Sequence, residues 1–181
     1  VATGLHHVMM TGPPGAGKTM LAERLPTILP DMSWDERFET TRIHDVAGLL
    51  EKNTLISRRP FRGPHHTATL ASIIGGGSNA KPGEITLAHN GVLFIDEAPE
   101  FPRFILDALR QPLESHTITV NRLQNSYEYP AKFICVLAAN PCPCGYYGDP
   151  HKECVCSSTE FMKYQNKISG PILDRIDLYI S

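Results

Sequence analysis

The sequence lacks any long hydrophobic run, and none approaches the roughly 18 apolar residues that a membrane-spanning helix requires. It also has little net charge, because 17 lysines and arginines are opposed by 19 aspartates and glutamates, giving a formal charge of −2. So neutral a protein does not show the overall basic charge typical of nucleic-acid binding, and any contact with DNA or RNA must come from a local patch. Because no apolar run is long enough to span a membrane, we expect no membrane partner.

Cysteines are few, with five in 181 residues, and the sequence shows no internal repeat or low-complexity tract. Five thiols beside the phosphate-binding motif described next argue against a disulfide framework, so we expect a cytoplasmic protein. The length suits one α/β domain and is short for two. Because the chain begins just before one predicted strand and ends just after another, we expect it to be a domain of a longer protein.

The most informative stretch is Gly12–Thr19, because its letters GPPGAGKT fit the pattern G-x-x-x-x-G-K-S/T. Its glycines let the backbone close around an anion, with successive N–H groups and a helix N-terminus facing the phosphates. Lys18 places a cation on the β- and γ-phosphates, and the Thr19 hydroxyl is a ligand for Mg²⁺. A predicted strand over 5–10 and a predicted helix over 18–28 favour this interpretation over a chance Gly/Pro turn. We predict that ATP and Mg²⁺ are held by Gly12, Pro13, Pro14, Gly15, Ala16, Gly17, Lys18 and Thr19.

A second motif follows the apolar run Val92–Ile95, which is typical of a buried parallel strand. Asp96 and Glu97 come directly after this run, at the carboxyl end where such sheets bind ligands. We expect Asp96 to hold Mg²⁺ opposite Thr19, and Glu97 to orient and polarise the attacking water. The alternative is a surface acidic pair with no role in chemistry.

Asn140 follows a further apolar strand, predicted over 134–138, which could lie between the phosphate-loop strand and the Asp96 strand. A neutral amide there can hydrogen-bond the γ-phosphate or the water without adding negative charge. Asn before Pro141 is also typical of a simple turn, and both interpretations stay open.

Strands that alternate with helices predict a largely parallel, three-layer α/β sheet. A helix is predicted over 34–46, with Trp34, Phe38 and Val46 as core residues because of their helical spacing. The proline-, glycine- and arginine-rich segment 57–90 is predicted to be an insertion, with His65 and His66 as its loop or interface residues.

Several stretches carry a resemblance to a known family. Walker A, Walker B and sensor 1 of the AAA+ ATPases are similar to Gly12–Thr19, Val92–Glu97 and Leu137–Asn140. The magnesium-chelatase-like branch of that family is similar to Pro82–Ile85, Ala88–Glu97 and Leu109–Glu114. Within this branch, the bacterial ComM/YifB family resembles this chain at Asn140–Gly145 and Ser169–Leu178.

The resemblance implies a P-loop NTPase (AAA+) core over 1–181, with a mainly parallel five-stranded sheet, a helix-2 insertion at 57–90 and a pre-sensor-1 β-hairpin. It implies a homo-oligomeric ring, a hexamer, with this hairpin and the insertion facing a central pore. A cysteine loop occupies 142–156. The family's N-terminal Lon-like domain and C-terminal lid lie outside this chain, so the lid's sensor 2 arginine has no counterpart here.

The resemblance also gives Arg175 the role of an arginine finger, supplied to the ATP of a neighbouring subunit. A cation at the transferring phosphoryl group stabilises the charge that grows in the transition state. Because Asp174 and Asp177 flank it, a surface salt bridge is the alternative, and the sequence indicates no other partner for Arg175 within the chain.

Four cysteines form two C-x-C pairs, at Cys142, Cys144, Cys154 and Cys156. Four thiolates can close a tetrahedral structural zinc site, although C-x-C is tighter than the usual C-x-x-C and His151 offers a substitute ligand. The alternative is four reduced cysteines in a loop beside the active site. The fifth, Cys135, lies in a predicted strand and is expected to be a small core residue.

Basic residues are candidates for contacts with a phosphate backbone if the insertion and the hairpin line a pore. They are Arg58, Arg59, Arg62, Lys81 and Arg122. The alternative is an ordinary solvated surface.

The resemblance implies an ATPase that remodels DNA, as a branch-migration helicase in the uptake and recombination of foreign DNA. Two alternatives are a chelatase-type subunit that drives metal insertion into a tetrapyrrole, and a chaperone-like ATPase that remodels proteins. The basic residues and the cysteines favour DNA.

Overall fold

The computed structural model describes residues 1, 4–50, 54–76, 80–121 and 126–181. Its strands are β1 (Val8–Thr11), β2 (Phe61–Arg62), β3 (Gly75–Gly76), β4 (Lys81–Pro82), β5 (Val92–Ile95), β6 (Thr117–Asn121), β7 (Ser126–Pro130), β8 (Ile134–Ala139) and β9 (Leu178–Ile180). Its helices are α1 (Lys18–Ile28), α2 (Trp34–Ala47), α3 (Leu70–Ile74), α4 (Glu84–Leu87), α5 (Arg103–Ala108), α6 (Arg110–Ser115), α7 (Ser158–Gln165) and α8 (Gly170–Leu173), with a 3₁₀ turn at Ala98–Glu100.

Five strands form one sheet in the order β2-β5-β8-β1-β9, and every pairing within it is parallel. β8 lies between β1 and β5, so the predicted position of the Asn140 strand is confirmed. In the register, Thr11 lies opposite Ala139 and Ile95 lies opposite Leu137. The three strands therefore end at one edge of the sheet, which brings the residues that follow them together.

Both faces of the central strands are buried, as expected for a parallel sheet covered on two sides. One face presents Leu93 and Leu137 to α5 and α6, and the other presents Phe94 and Val136 to Ala22 of α1. Alternate residues of one strand thus fill two cores, and each fully buried Leu or Ile contributes roughly 1.5–3 kcal/mol. The predicted three-layer α/β fold with a parallel five-stranded sheet is confirmed.

The predicted insertion contains part of the central sheet, because β2 lies at 61–62 and pairs in parallel with β5. The prediction that 57–90 is wholly an insertion is therefore wrong for Phe61 and Arg62. A two-residue strand gives almost no periodic signal, and its hydrogen bonds come from distant β5. The remaining segment forms α3, the antiparallel β3–β4 pair and α4.

The prediction that Trp34, Phe38 and Val46 are core residues is also wrong, because their exposed fractions are 74%, 61% and 57%. The buried residues of α2 are Thr40 and Ile43, on the opposite side of the helix. α2 packs against α4 and β4, and the apolar side chains that gave its helical spacing are exposed to solvent.

The predicted hairpin is present, since β6 and β7 form an antiparallel pair in a separate two-stranded sheet. It follows α6 directly and leads into β8, which is the pre-sensor position expected from the resemblance. In the part of the chain that the structure describes, no helix is long and apolar enough to cross a membrane.

Candidate nucleotide-binding site

The phosphate loop connects β1 to α1 at the carboxyl edge of the sheet. The Gly12 N–H donates to the Ala139 carbonyl at 3.2 Å, which ties the loop to β8. Gly15 and Gly17 have φ of 80° and 82°, a left-handed conformation that side chains disfavour. No side-chain hydrogen bond caps α1 at Gly17. The N–H groups of its first turn are therefore available to an anion.

The Lys18 ammonium joins the phosphate loop to Asn140. Its Nζ donates to the carbonyls of Gly12 at 2.7 Å and Pro13 at 3.0 Å, and to Asn140 Oδ1 at 3.2 Å. Burial lowers the pKa of Lys18, whereas Asp96 and Glu97 raise it. The predicted phosphate-binding lysine and the predicted sensor amide are thus in direct contact.

Thr19 and Asp96 come together across the site, 77 positions apart in sequence. The Thr19 Oγ1 donates to Asp96 Oδ2 at 2.9 Å, and the Glu97 N–H donates to Asp96 Oδ1 at 2.9 Å. Two ligands at right angles on Mg²⁺, with bonds of 2.0–2.1 Å, are about 2.9 Å apart. The hydroxyl and the carboxylate therefore fit one Mg²⁺ coordination sphere.

Glu97 lies at the rim of a cavity of about 420 Å³ that Thr19, Asp96, His66 and Phe94 also line. Its φ of 49° is left-handed, an uncommon conformation for a residue with a side chain. Its carboxylate is 58% exposed, so it can reach a water molecule in this cavity. Such strained backbone is concentrated at functional sites.

His66 is a site residue that the sequence did not indicate. Its Nδ1 lies 3.7 Å from Glu97 Oε2, and its ring packs 4.0 Å from the ring of His65 and against the edge of Phe101. The missing signal was β2: a strand recognised at 61–62 would have placed the residues after it at the same edge of the sheet as Glu97.

Asn140 begins the segment that carries the cysteines. Next to it, the Gln165 side chain donates to the Pro141 carbonyl at 3.0 Å, which anchors the segment to α7. Burial raises the pKa of Tyr164 in the same helix to about 12, although the Asn140 N–H opposes this shift. Lys18 thus contacts the side-chain oxygen of Asn140, while α7 contacts the backbone at Asn140 and Pro141.

The sulfur atoms of the four loop cysteines, Cys142, Cys144, Cys154 and Cys156, all lie within 4.8 Å of one another. Cys142 is 3.3 Å from Cys144 and 3.6 Å from Cys154, and the Cys144 N–H donates to Cys156 Sγ at 3.3 Å. A tetrahedral zinc site with 2.3 Å bonds has sulfurs about 3.8 Å apart. The donor set therefore fits zinc. His151 is not in this cluster of the described residues, and Cys135 is fully buried in β8 as expected.

Arg175 contacts residues of its own chain rather than the phosphate loop. Its Nη2 donates to Glu114 Oε2 at 2.6 Å, and its Nη1 donates to the Pro171 carbonyl at 2.5 Å. The expectation that Arg175 lacks a partner within the chain beyond its flanking aspartates is therefore wrong. Glu114, at the end of α6, is a sequence-distant partner that only the fold brings close.

The predicted basic residues fall into three groups: two that are paired within the chain, two that are exposed, and one that lies outside the described residues. Arg59 is 11% exposed and donates to the Pro30 and Asn90 carbonyls and to Glu36. Arg62 makes a two-pronged ion pair with Glu84, at 2.6 and 2.7 Å, which raises the pKa of Arg62. Arg58 and Lys81 are exposed. Arg122 lies outside the described residues.

The whole chain, residues 1–181, matches the family model described as magnesium chelatase, subunit ChlI. It is 48% identical over 177 residues to YifB of Escherichia coli, covering 98% of this chain and 35% of that protein. It is 48% identical over 182 residues to competence protein ComM of Haemophilus influenzae, covering 99% and 35%. A magnesium-chelatase subunit ChlI of Euglena gracilis is more distant, at 25% over 156 residues, covering 74% and 45%. The chain thus spans about a third of the length of YifB and ComM.

Solved structures show the same fold at low identity. NtrX from Brucella abortus in complex with ADP has a TM-score of 0.61 and 17% identity, covering 99% of this chain and 32% of that one. NtrX in complex with ATP has the same TM-score and identity, covering 99% and 33%. With the family model matched from end to end, the chain belongs to the magnesium chelatase, subunit ChlI, family.

Proposed function

We propose that this chain is the ATP-hydrolysing module of a ComM-like motor that remodels or branch-migrates DNA. One observation carries the ATPase part of the proposal. Lys18, Thr19, Asp96, Glu97 and Asn140 come from three separate stretches and meet at one edge of the sheet. This combination supplies a phosphate cradle, a cation site and a carboxylate for the attacking water.

The residues divide the chemistry among themselves. Lys18 and the first-turn N–H groups of α1 bind the β- and γ-phosphates, while Thr19 and Asp96 hold Mg²⁺. The metal supplies positive charge on the phosphate oxygens when it is bound. Glu97 accepts a hydrogen bond from the attacking water, which orients it, and then accepts its proton. Asn140 donates a hydrogen bond to the γ-phosphate or to that water.

ATP binding requires Lys18 to exchange partners. In the structure its three donors are engaged by two loop carbonyls and by Asn140 Oδ1. When the γ-phosphate takes over the ammonium, Asn140 loses that contact and can face the reacting atoms. This links Asn140 to the presence of the third phosphate.

We propose that Arg175 completes the site of a neighbouring subunit in a hexameric ring. The relatives YifB and ComM are 48% identical over nearly the whole chain, and a finger would add positive charge beside the transferring phosphoryl group. The four cysteines are proposed to hold one zinc ion. We further propose that the protein is cytoplasmic, as its free thiols suggest.

The DNA part of the proposal is supported by the identity to a protein named competence protein ComM. Of the candidate contacts, Arg58 and Lys81 are favoured because they are exposed, whereas Arg59 and Arg62 donate to carboxylates of their own chain. A second candidate is a chelatase-type subunit acting on a tetrapyrrole, which the matched family's description favours.

One experiment separates these functions. Phosphate release from ATP by the full-length protein is measured alone, with branched DNA and with single-stranded DNA of the same length. We expect DNA to stimulate turnover, with a strong decrease at high salt because the contacts are to phosphates. The Arg58→Ala/Lys81→Ala double variant should lose stimulation but retain basal turnover, and Arg103→Ala, which removes a 70% exposed arginine of α5, is the matched control. Turnover that no DNA changes would reject the DNA proposal and favour the chelatase alternative.

A further inference from the structure

The cysteine loop, residues 142–156, forms one wall of the phosphate-binding site. Asn140 directly precedes it, and Gly145 lies against the ring of Pro14 in the phosphate loop. A Cβ at Gly145 would lie 2.7 Å from Pro14 Cδ and 2.9 Å from Pro14 Cγ. At such distances a side chain at this position would collide with the Pro14 ring, so the backbone of the cysteine loop lies directly against that ring.

The cysteine loop has little of its own to hold it in this position. It contains no helix or strand, and its side chains at Tyr147 and Val155 are 57% and 85% exposed. Fixing a segment of this kind costs backbone conformational entropy at every residue. Its anchors are the buried Cys142, the Gly145 contact, the Tyr147 ring packed 4.5 Å from the Phe161 ring of α7, and the cluster of four sulfurs.

The sulfur cluster joins the two ends of the loop. Cys142 and Cys144 lie at its start and Cys154 and Cys156 at its end. Sγ···Sγ separations of 3.6 Å, from Cys154 to both Cys142 and Cys144, connect the two pairs. A metal held by sulfurs from both ends closes the loop, and the binding free energy becomes folding free energy of that segment.

We propose that one zinc ion, bound by the four thiolates, fixes the cysteine loop against Pro14 and Asn140, so that zinc occupancy sets the affinity of the phosphate site for nucleotide. This rests on the proposed function, since it concerns the same ATP site. Loss of zinc frees the cysteine loop, and both the phosphate loop and the Asn140 amide that Lys18 contacts then lose their support. The site then binds nucleotide more weakly although every phosphate-binding residue is present.

Two glycines of the loop provide a matched pair of variants. Gly145 and Gly148 both have left-handed φ, at 86° and 79°. A Cβ at Gly145 would collide with Pro14, whereas a Cβ at Gly148 would meet nothing within 4 Å. Alanine therefore imposes the same backbone strain at both positions, and only Gly145→Ala pushes the loop away from the phosphate loop.

The test measures zinc and nucleotide separately in the full-length protein. Elemental analysis after dialysis gives zinc per chain, and titration with a fluorescent ADP analogue gives affinity without turnover. We expect one zinc per chain in the wild type, in Gly145→Ala and in Gly148→Ala, with roughly tenfold weaker nucleotide binding in Gly145→Ala alone. Cys156→Ser should lose zinc and bind nucleotide at least as weakly.

Chelator treatment of the folded wild type, followed by far-UV circular dichroism, covers the case in which Cys156→Ser fails to fold. Zinc removal should weaken nucleotide binding while the helical signal is retained, and added zinc should restore it. Wild-type affinity in the zinc-free protein would overturn the inference, as would a metal-free wild type with four titratable loop thiols. Lys18→Ala should keep its zinc and lose nucleotide binding. A zinc-loaded wild type that binds no nucleotide would show that the ATP proposal fails, and this outcome differs from a failure of the zinc inference.

Discussion

His66 Nδ1 lies 3.7 Å from the Oε2 atom of Glu97, at the mouth of the cavity beside Thr19 and Asp96. The carboxylate proposed to orient water is thus paired with an imidazole from the segment that follows β2. A protonated ring attracts the carboxylate as an ion pair, and a neutral ring can donate to it only in one tautomer. His66 therefore influences where Glu97 points.

We expect His66→Ala to lower kcat for ATP hydrolysis several-fold with KM for ATP unchanged, because it removes a positioning contact rather than a phosphate contact. His66→Asn, which keeps a donor, should recover part of the loss. The measurement is steady-state phosphate release as a function of ATP concentration. An unchanged kcat in His66→Ala would limit His66 to a packing role.

Lys18→Ala and Glu97→Gln should separate binding from chemistry. Lys18→Ala removes the cation from the phosphate cradle and is expected to abolish nucleotide binding. Glu97→Gln keeps the cradle and the Mg²⁺ ligands but cannot accept a proton, so ATP should bind normally while turnover falls about 10²–10⁴-fold. Equilibrium titration and phosphate release on the same preparations provide both measurements. Normal hydrolysis by Glu97→Gln would contradict the role given to this residue.

The site could be predicted from the sequence because its chemistry lies in contiguous motifs. Gly12–Thr19 and Val92–Glu97 each contain a strand and the loop that follows it, so the local pattern places the functional side chains at a strand end. Asn140 was placed by the same rule. The sheet order then brings the three strand ends together.

The features that could not be predicted depend on distant contacts. β2 is two residues long and exists through its pairing with β5, so His66 carried no positional signal. Arg59 and Arg62 looked like solvated cations, but the fold brings Glu36 and Glu84 to them. The apolar spacing of residues 34–46 correctly indicated the helix α2. It could not indicate that the apolar side of this helix is exposed to solvent.

The stability of the fold should decrease as the pH falls below 6.5, before the carboxylates titrate. Burial lowers the pKa of His7, His44 and His89 from their ordinary value of 6.5, and opposing charges such as Asp177 and Glu39 compensate only in part. The unfolded chain therefore binds more protons than the folded one between 6.5 and these lowered values. Each histidine then contributes a slope of at most about 1.4 kcal/mol per pH unit.

Urea unfolding at about pH 7.5 and about pH 5.5 measures this slope. His89→Gln should reduce the slope, because it removes one buried titrating ring, and His151→Gln should not, because His151 is exposed. Equal unfolding free energies at the two pH values would show that these rings are not held neutral by burial.

Arg175 presents a different problem, since its guanidinium already donates to Glu114 and to the Pro171 carbonyl. This hydrogen bond lowers the pKa of the Glu114 carboxyl. Glu114 is 71% exposed and Arg175 is 26% exposed, so the carboxylate side of the pair lies at the surface where a neighbouring subunit could approach. A partly exposed pair contributes little free energy, and a phosphate in a neighbour's site can compete with Glu114 for the guanidinium.

We therefore expect Arg175 to act in trans. In the full-length protein, Arg175→Ala and Lys18→Ala should each be inactive, and a finger is worth about 10³–10⁵ in turnover in related NTPases. Mixing the two variants should restore part of the activity, because a subunit with an intact phosphate cradle can receive Arg175 from a Lys18→Ala neighbour. The recovery should grow with protein concentration, since it depends on assembly. A mixture of Lys18→Ala with the Lys18→Ala/Arg175→Ala double variant is the matched control and should stay inactive. If the first mixture also stays at the level of its parents under assembling conditions, Arg175 is held by Glu114 for structural reasons and does not serve a neighbour.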